Sequence, residues 1–462
     1  MIKKLLFLFL FVLASCSKGE RKSPNVFFAG EIVNPTNNYV VLHQGDVVID
    51  SAKLDDNNRF IFRLDSIEDG LYHFNHAPEL QYVYLEKGDS LMLRLNTVDF
   101  DESLIYTGSG EEINNFLIDL FLANEEEMFD VLSTYYPMEP GDFSKRMDSL
   151  RNLKLNNLKE LTSEVDLSQN AQEIGEAAIN YTYFNYKERY PYEHRGRTSE
   201  LAMHELPDNF YDYRKYVSYD NKRLNYLRPY YDFMKSHVEN LTFMGCSHDC
   251  AGKDEIVKNQ LHYNKHKLKL IDSVVIEKEL KDNLFRNVAL YYLLKGHDKE
   301  ENNAQFIEEF KKLSHNNRHS EEIDNLYKGI LNIQPNKEIP DVFVIDNQGN
   351  SVSIKEIAGK KNMVFYFWSA DDKKHFNSIT QRALEVSEKK PEYSFVGINI
   401  MTDESTWKEM VKNKGLDESK QFRAKDFRKL HEALIIYPMN KCIIAKDAKI
   451  VDAFSDMYAS FQ

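Results

Sequence analysis

The chain has 462 residues, room for about three domains at about 150 residues each. Hydrophobic residues make up 42% and charged residues 29%, the balance of a chain that folds around cores, so wholesale disorder, a collagen-like repeat and a multi-span membrane protein are excluded. Lys and Arg number 59 against 73 Asp and Glu, a net charge of −14. Phosphate-backbone binding draws on clustered positive charge, so no nucleic-acid partner is expected.

Lys3 and Lys4 precede an unbroken apolar run over 5–13 (LLFLFLFVL). That run is too short to span a bilayer as a helix and suits a secretory signal. It leads into Leu13-Ala14-Ser15-Cys16. The order of small residues before Cys resembles the bacterial lipobox; the other reading is a buried N-terminal helix with a chance Cys. The resemblance implies cleavage before Cys16 and acylation of that residue, giving a membrane partner through a lipid anchor. On this reading 1–15 are a signal peptide and 16–25 a lipidated, polar tether. By similarity to known sorting rules, Ser17 after the Cys favours the outer membrane. The lack of an acidic run favours its periplasmic face.

From Val26 to about Gly110 the pattern is β. Short runs rich in Val, Ile, Phe and Tyr fall at 26–33, 39–43, 46–50, 59–64, 71–74, 81–85 and 90–95. Turn chemistry separates them, at Asn34-Pro35, Gln44-Gly45, 55–58, Asp69-Gly70 and Lys87-Gly88-Asp89. The spacing predicts a small antiparallel β-sandwich or barrel over 26–110. The segment resembles an N-terminal β-domain found in Bacteroidota lipoproteins. Its carrying residues are Asp50 to Leu54 leading into Phe60, Tyr84 to Ser90, and Tyr106-Thr107-Gly108 ahead of Asn114-Asn115. The resemblance implies no chemistry.

Residues 111–334 read as an all-α region. Apolar residues recur at three- and four-residue spacing from Leu117 onward, and over 142–163, 170–190, 254–275, 277–295 and 303–334. Pro137 to Gly141, Pro191, Pro207-Asp208 and Gly245 to Gly252 mark loops. The tract 181–231 is dense in Tyr (YTYFNYKERYPYEH, FYDYRKYVSY, YLRPYY). It is either an aromatic surface for glycan or peptide, or interior Tyr with hydroxyls at wet edges. Cys246 and Cys250 stand in a Gly-flanked loop (MGCSHDCAG). In an oxidising envelope they read first as a disulfide, then as a redox pair, then as metal ligands with His248. His262 and His266, four apart on an expected helix, could add ligands to that last reading.

Residues 335–462 alternate strands and helices. Strands are expected at 339–346, 352–354, 363–368, 395–400, 441–444 and 449–451, and helices at about 374–389 and 407–414. That alternation means a parallel or mixed α/β sheet. The set Pro340-Asp341, Gly349, Gly359-Lys360 and Phe367-Trp368 resembles the thioredoxin-like TlpA/ResA type (related to AhpC/TSA proteins), anchored thiol-disulfide proteins of the bacterial envelope. The resemblance implies a multidomain chain ending in a thioredoxin-like fold, with Pro438 as the candidate cis-proline of a peptide groove. It also implies Cys-x-x-Cys at a helix start three residues after Phe-Trp, where the dipole lowers a thiol's pKa. Here those places hold Asp372, Lys373, Lys374 and His375, and both cysteines are absent. Asp372 and His375 are an acid/base or metal pair, or else a helix cap and a solvated first-turn residue. Cys442, in an apolar run, reads as a small buried hydrophobe.

Three functions follow as expectations. The first is an anchored, redox-degenerate protein that catalyses nothing and binds envelope proteins or peptides, with no cofactor and no metal. The second is a thiol-disulfide oxidoreductase using Cys246 and Cys250. The third is an envelope solute or glycan binder using the Tyr-rich tract.

Overall fold

The computed structural model describes residues 25–77, 79–198, 206–246, 257–295, 298–359, 362–370, 372–437 and 440–461. The chain divides into two compact units, Met1–His237 and Val238–Gln462.

The first unit opens with eight strands: β1 (Val26–Val33), β2 (Tyr39–Gln44), β3 (Val47–Lys53), β4 (Arg59–Leu64), β5 (Gly70–His76), β6 (Glu79–Leu85), β7 (Ser90–Asn96) and β8 (Ile105–Gly108). They form two four-stranded sheets, ordered β4-β1-β7-β8 and β3-β2-β5-β6. Alternation decides which face is buried. In β4 (RFIFRL), Phe60, Phe62 and Leu64 turn inward while Arg59, Ile61 and Arg63 stay exposed. One hydrophobic cluster takes Phe28, Phe60 and Leu93 from the first sheet and Leu42, Phe74 and Val83 from the second. The expectation of a purely antiparallel arrangement fails at one pair. β1 runs parallel to β7, from Phe27 opposite Ser90 to Val33 opposite Asn96. Four of the five strands between them belong to the other sheet, so the chain returns beside β1 without a hairpin to reverse it. β8 is short and was not anticipated as a strand.

α1 (Glu111–Asp130) docks on both sheets through adjacent asparagines. Asn114 exchanges hydrogen bonds with the backbone of Tyr84 in β6 (2.7 and 2.8 Å), and Asn115 with that of Tyr106 in β8 (2.9 and 3.0 Å). A π-helical turn (Val131–Tyr135) leads to α2 (Pro140–Glu164) and α3 (Gln169–Thr198). Pro191, anticipated as a loop marker, lies inside α3. Contacts on either side hold the helix through it: the Tyr190 hydroxyl donates to Met138 O (2.6 Å), and His194 Nδ1 is 2.7 Å from Tyr136 O. Two 3-10 turns (Asp212–Tyr216 and Lys222–Leu224) precede α4 (Arg228–Gly245), an unanticipated helix that buries Tyr230 and Phe233.

The second unit contains α5 (Gln260–Val274), α6 (Lys278–Lys295), α7 (Glu300–Leu313) and α8 (Ser320–Asn332). The single helix expected over 303–334 is thus two. The break falls at Asn316, whose φ of 54° is a left-handed conformation that Asn tolerates. Next to it, Asn317 bonds Asp282 O (3.2 Å) and the His319 amide (2.8 Å).

There follow β9 (Phe343–Ile345), β10 (Ser351–Ser353), α9 (Ile354–Ile357), β11 (Asn362–Trp368), α10 (Lys373–Lys389), β12 (Tyr393–Asn399), α11 (Glu404–Asn413), β13 (Gln421–Ala424), α12 (Phe427–Leu434), β14 (Lys441–Lys446) and β15 (Lys449–Asp456). One seven-stranded sheet has the order β10-β9-β13-β12-β11-β14-β15. β13, β12 and β11 are parallel, and the flanking pairs are antiparallel. β11 buries six consecutive residues, Met363 to Trp368, as a strand covered on both faces does. The strand expected over 339–346 shrinks to β9, because Pro340 lacks an amide to donate and the Ile339 amide goes instead to Ala448 O. β13 and α12 are additions to the expected pattern. No helix among the described residues is long and apolar enough to cross a membrane.

Candidate functional site

β11 delivers the chain to the helix start where the sequence places its altered motif. Trp368 ends the strand and packs on Phe376 of α10, with ring centroids 4.5 Å apart. Trp368 Nε1 donates to Gln421 Oε1 (3.3 Å), and Gln421 Nε2 donates to the Tyr366 hydroxyl (2.9 Å). Gly397 of β12 makes room for this chain, since a Cβ there would run into Gln421 Oε1 and the Tyr366 ring. Thr402 Oγ1 accepts from the Ala370 amide (3.0 Å) and Asn399 Nδ2 (2.9 Å), fixing the exit from β11.

On this platform Asp372 caps α10. Its Oδ1 accepts from the His375 amide at 2.7 Å, meeting one of the donors that a helix start leaves unpaired. Asp372, Lys373 and Lys374 are exposed, while His375 is half-buried rather than solvated as expected. The structure therefore brings Asp372 and His375 together through a cap, one carboxylate bonded to the other residue's backbone. Pro438 lies outside the described residues.

The strand beside β11 carries two buried titratable groups. Cys442 of β14 stands opposite Tyr366. Burial pushes its thiol up to about 12, and Asp452 and Asp456 add to the effect, so it is no thiolate near neutrality. Lys441 is also buried, and its Nζ donates to Leu434 O (2.6 Å) and Ile435 O (2.8 Å) at the end of α12. It sits 4.4 Å from the Phe454 ring centroid. Burial depresses its ammonium to about 7, against the opposing pull of Asp452.

Cys246 is disulfide-bonded. Cys250 and His248, like Cys16, lie outside the described residues. His262 and His266 stand on one face of α5 with ring centroids 6.3 Å apart. Among the described residues no group of three or more His, Cys, Asp or Glu is placed to hold a metal ion.

Half of the tyrosines in the Tyr-rich tract are interior, and Tyr216 is exposed. Tyr181, Tyr183, Tyr186, Tyr190, Tyr213 and Tyr230 are buried, and several hydroxyls have partners, Tyr183 on Glu127 and Tyr230 on Ser218 O. Between the tract and His237 of α4 lies a polar network that the sequence reading missed. His237 Nδ1 is 2.6 Å from Glu188 Oε1, and the Tyr219 hydroxyl is 2.7 Å from His237 Nε2. Arg214 grips both oxygens of Glu188 (2.9 and 2.6 Å). Its only sequence signal is a run of charge, Lys187-Glu188-Arg189, inside an aromatic helix.

No protein-family model matches the chain, and no curated protein does. Solved structures similar to part of it include the thioredoxin domain of a thiol-disulfide oxidoreductase from Bacteroides vulgatus, 23% identical over 26% of this chain and 86% of that one, with a TM-score of 0.23. A thiol:disulfide interchange protein from a Bacteroides species is 21% identical over 26% of this chain and 80% of that one, also with a TM-score of 0.23. The likeness covers about a quarter of the chain. At these scores it carries nothing about activity.

Proposed function

We propose that this chain is a lipid-anchored envelope protein whose C-terminal domain keeps a thioredoxin-like scaffold without its redox chemistry and acts by binding extended segments of envelope proteins. The observation that supports this reading most is the Asp372 cap. Thiol-disulfide exchange needs a thiolate and a resolving thiol at this helix start. Here a carboxylate occupies it, favourably placed against the helix dipole and bonded to the His375 amide. Cys442 supplies no substitute, being buried with its thiol pushed up. Acylation at Cys16, a structural disulfide between Cys246 and Cys250, and a groove edge at Pro438 belong to the same proposal.

The intact protein should reduce the disulfides of insulin no faster than background. Asp372→Cys with His375→Cys should gain weak activity if the groove is intact. Robust turnover by the unaltered chain overturns the binding reading. Loss of that turnover in Cys246→Ala or Cys250→Ala would then support the second reading, a displaced redox pair. Cys16→Ser should release the protein from membranes or stall its processing. A processed form that still pellets with membranes removes the anchor.

A further inference from the structure

We propose that the first half of α5 forms a binding site for a multiply charged, phosphate-bearing anion. The inference does not depend on the reading of the C-terminal domain. Residues 258–269 (KNQLHYNKHKLK) hold four Lys and two His and no acid, in a chain of net charge −14. The helix sorts them. His262, Lys265, His266 and Lys269 recur at three- and four-residue spacing, so they share a face. With Asn259 and Leu261 they line a cavity of about 520 Å³, within the range of about 300–1,000 Å³ typical of small-molecule sites. Lys267 turns elsewhere, buried and paired with Glu239 at 2.7 Å.

Among the described residues one carboxylate, Glu309, is ion-paired with a lysine of the cavity wall. Lys265 makes no ion pair among the described residues, and Lys269 approaches Glu309 of α7 only to 3.8 Å. His266 Nδ1 is shielded from solvent with no hydrogen-bond partner among the described residues. Among the described residues the charged and titratable groups around His266 are His262, Lys265 and Lys269 on its own helix, with Glu309 reaching Lys269 from α7. Burial first, then the charges of His262 and Lys269, hold its pKa below the ordinary value. A bound anion would offset that repulsion. The helix itself adds positive potential, because α5 begins here, at the Asn259 cap whose side chain accepts from the His262 amide (2.9 Å). Several Lys and His donors around one cavity suit the multiple oxygens of phosphate groups better than a single carboxylate.

The probe is sodium pyrophosphate, titrated calorimetrically into the intact chain. Saturable binding is expected, weakened about tenfold or more in Lys265→Gln/Lys269→Gln through the lost charge-assisted bonds. It should be unchanged in the surface control Lys389→Gln/Lys390→Gln. Affinity should be several-fold higher at about pH 6 than at about pH 8, as His266 takes up a proton beside the bound anion. Vesicles of phosphatidylglycerol and phosphatidylethanolamine form a second arm. Binding that pyrophosphate competes away, and that the double variant loses, places the phosphate on a lipid headgroup. Pyrophosphate binding without vesicle binding places it on a soluble ligand. Absence of saturable binding, or equal affinity in the double variant, overturns the proposal. So does tight binding of zinc chloride alone that is lost in His262→Gln/His266→Gln, which would make the face a metal site.

Discussion

The two halves of the first unit fill their interiors differently. Between the sheets the interior is hydrocarbon, with Phe28, Phe62 and Phe74 wholly buried. Polar side chains buried in this half, His76, Asp89 and Asn114, pair with backbone. Among the helices the interior holds ionisable side chains. Glu188 and His237 are 0% and 1% exposed, and Arg214 closes the cluster. A hydrocarbon interior is non-directional and forgives volume-conserving exchange, whereas a buried ionic network needs every partner in place. Lys441 extends the contrast to the second unit as a buried charge held by carbonyls rather than by a bonded carboxylate.

The harshest test of this contrast is Glu188→Ala. It leaves the buried His237 and the half-buried Arg214 without their acceptor and should cost about 3–5 kcal/mol in urea unfolding. A loss no larger than that of an exposed substitution would mean the network holds nothing. Next comes Lys441→Met, read against pH. The unfolded chain binds the lysine proton up to its ordinary value of 10.5, but the folded chain only up to about 7. Between those values the unfolded state carries the extra proton, so this group makes stability rise as pH rises. The variant should lose that dependence and be the more stable form near neutrality, by a difference on the order of a few kcal/mol. Parallel pH profiles for the two proteins would refute it. Asn114→Ala should cost about 1–3 kcal/mol by leaving the amide and carbonyl of Tyr84 unpaired. Asn114→Asp keeps an acceptor for the amide but sets a buried carboxylate oxygen against the carbonyls of Tyr84 and Gly110, and should cost at least as much by the same assay. The smallest effect is expected at Asp372. Its change to Ala should cost about 1 kcal/mol through the lost cap, and its change to Asn almost nothing. Thermal melts would separate the two.

The same contrast explains what could be read in advance. Period-two alternation in RFIFRL and the apolar run MVFYFW announce half-buried and fully buried strands, because burial there follows from spacing alone. The cap at Asp372 is legible too, an acid standing just before an amphipathic run. Partners far apart in sequence are not legible. Glu188 meets Arg214 and His237 across separations of 26 and 49 residues, and no local pattern announces them. Asn114 and Asn115 stood out as a motif, but their task of reading one backbone from each sheet needs the sheets in place. Pro191 misled because a helix braced on both sides can carry a proline. The parallel β1–β7 pair was hidden because neighbours in sequence are not neighbours in that sheet.

Cys442 is the free thiol among the described residues, and it is fully buried against the central strand. A thiol that no reagent can meet in the folded state works as a clock. Alkylation of Cys442 must wait until β14 leaves β11, so the labelling rate at saturating reagent measures how often the middle of the C-terminal sheet opens. The chain thus carries its own tag for that event, usable in intact cells without an engineered label.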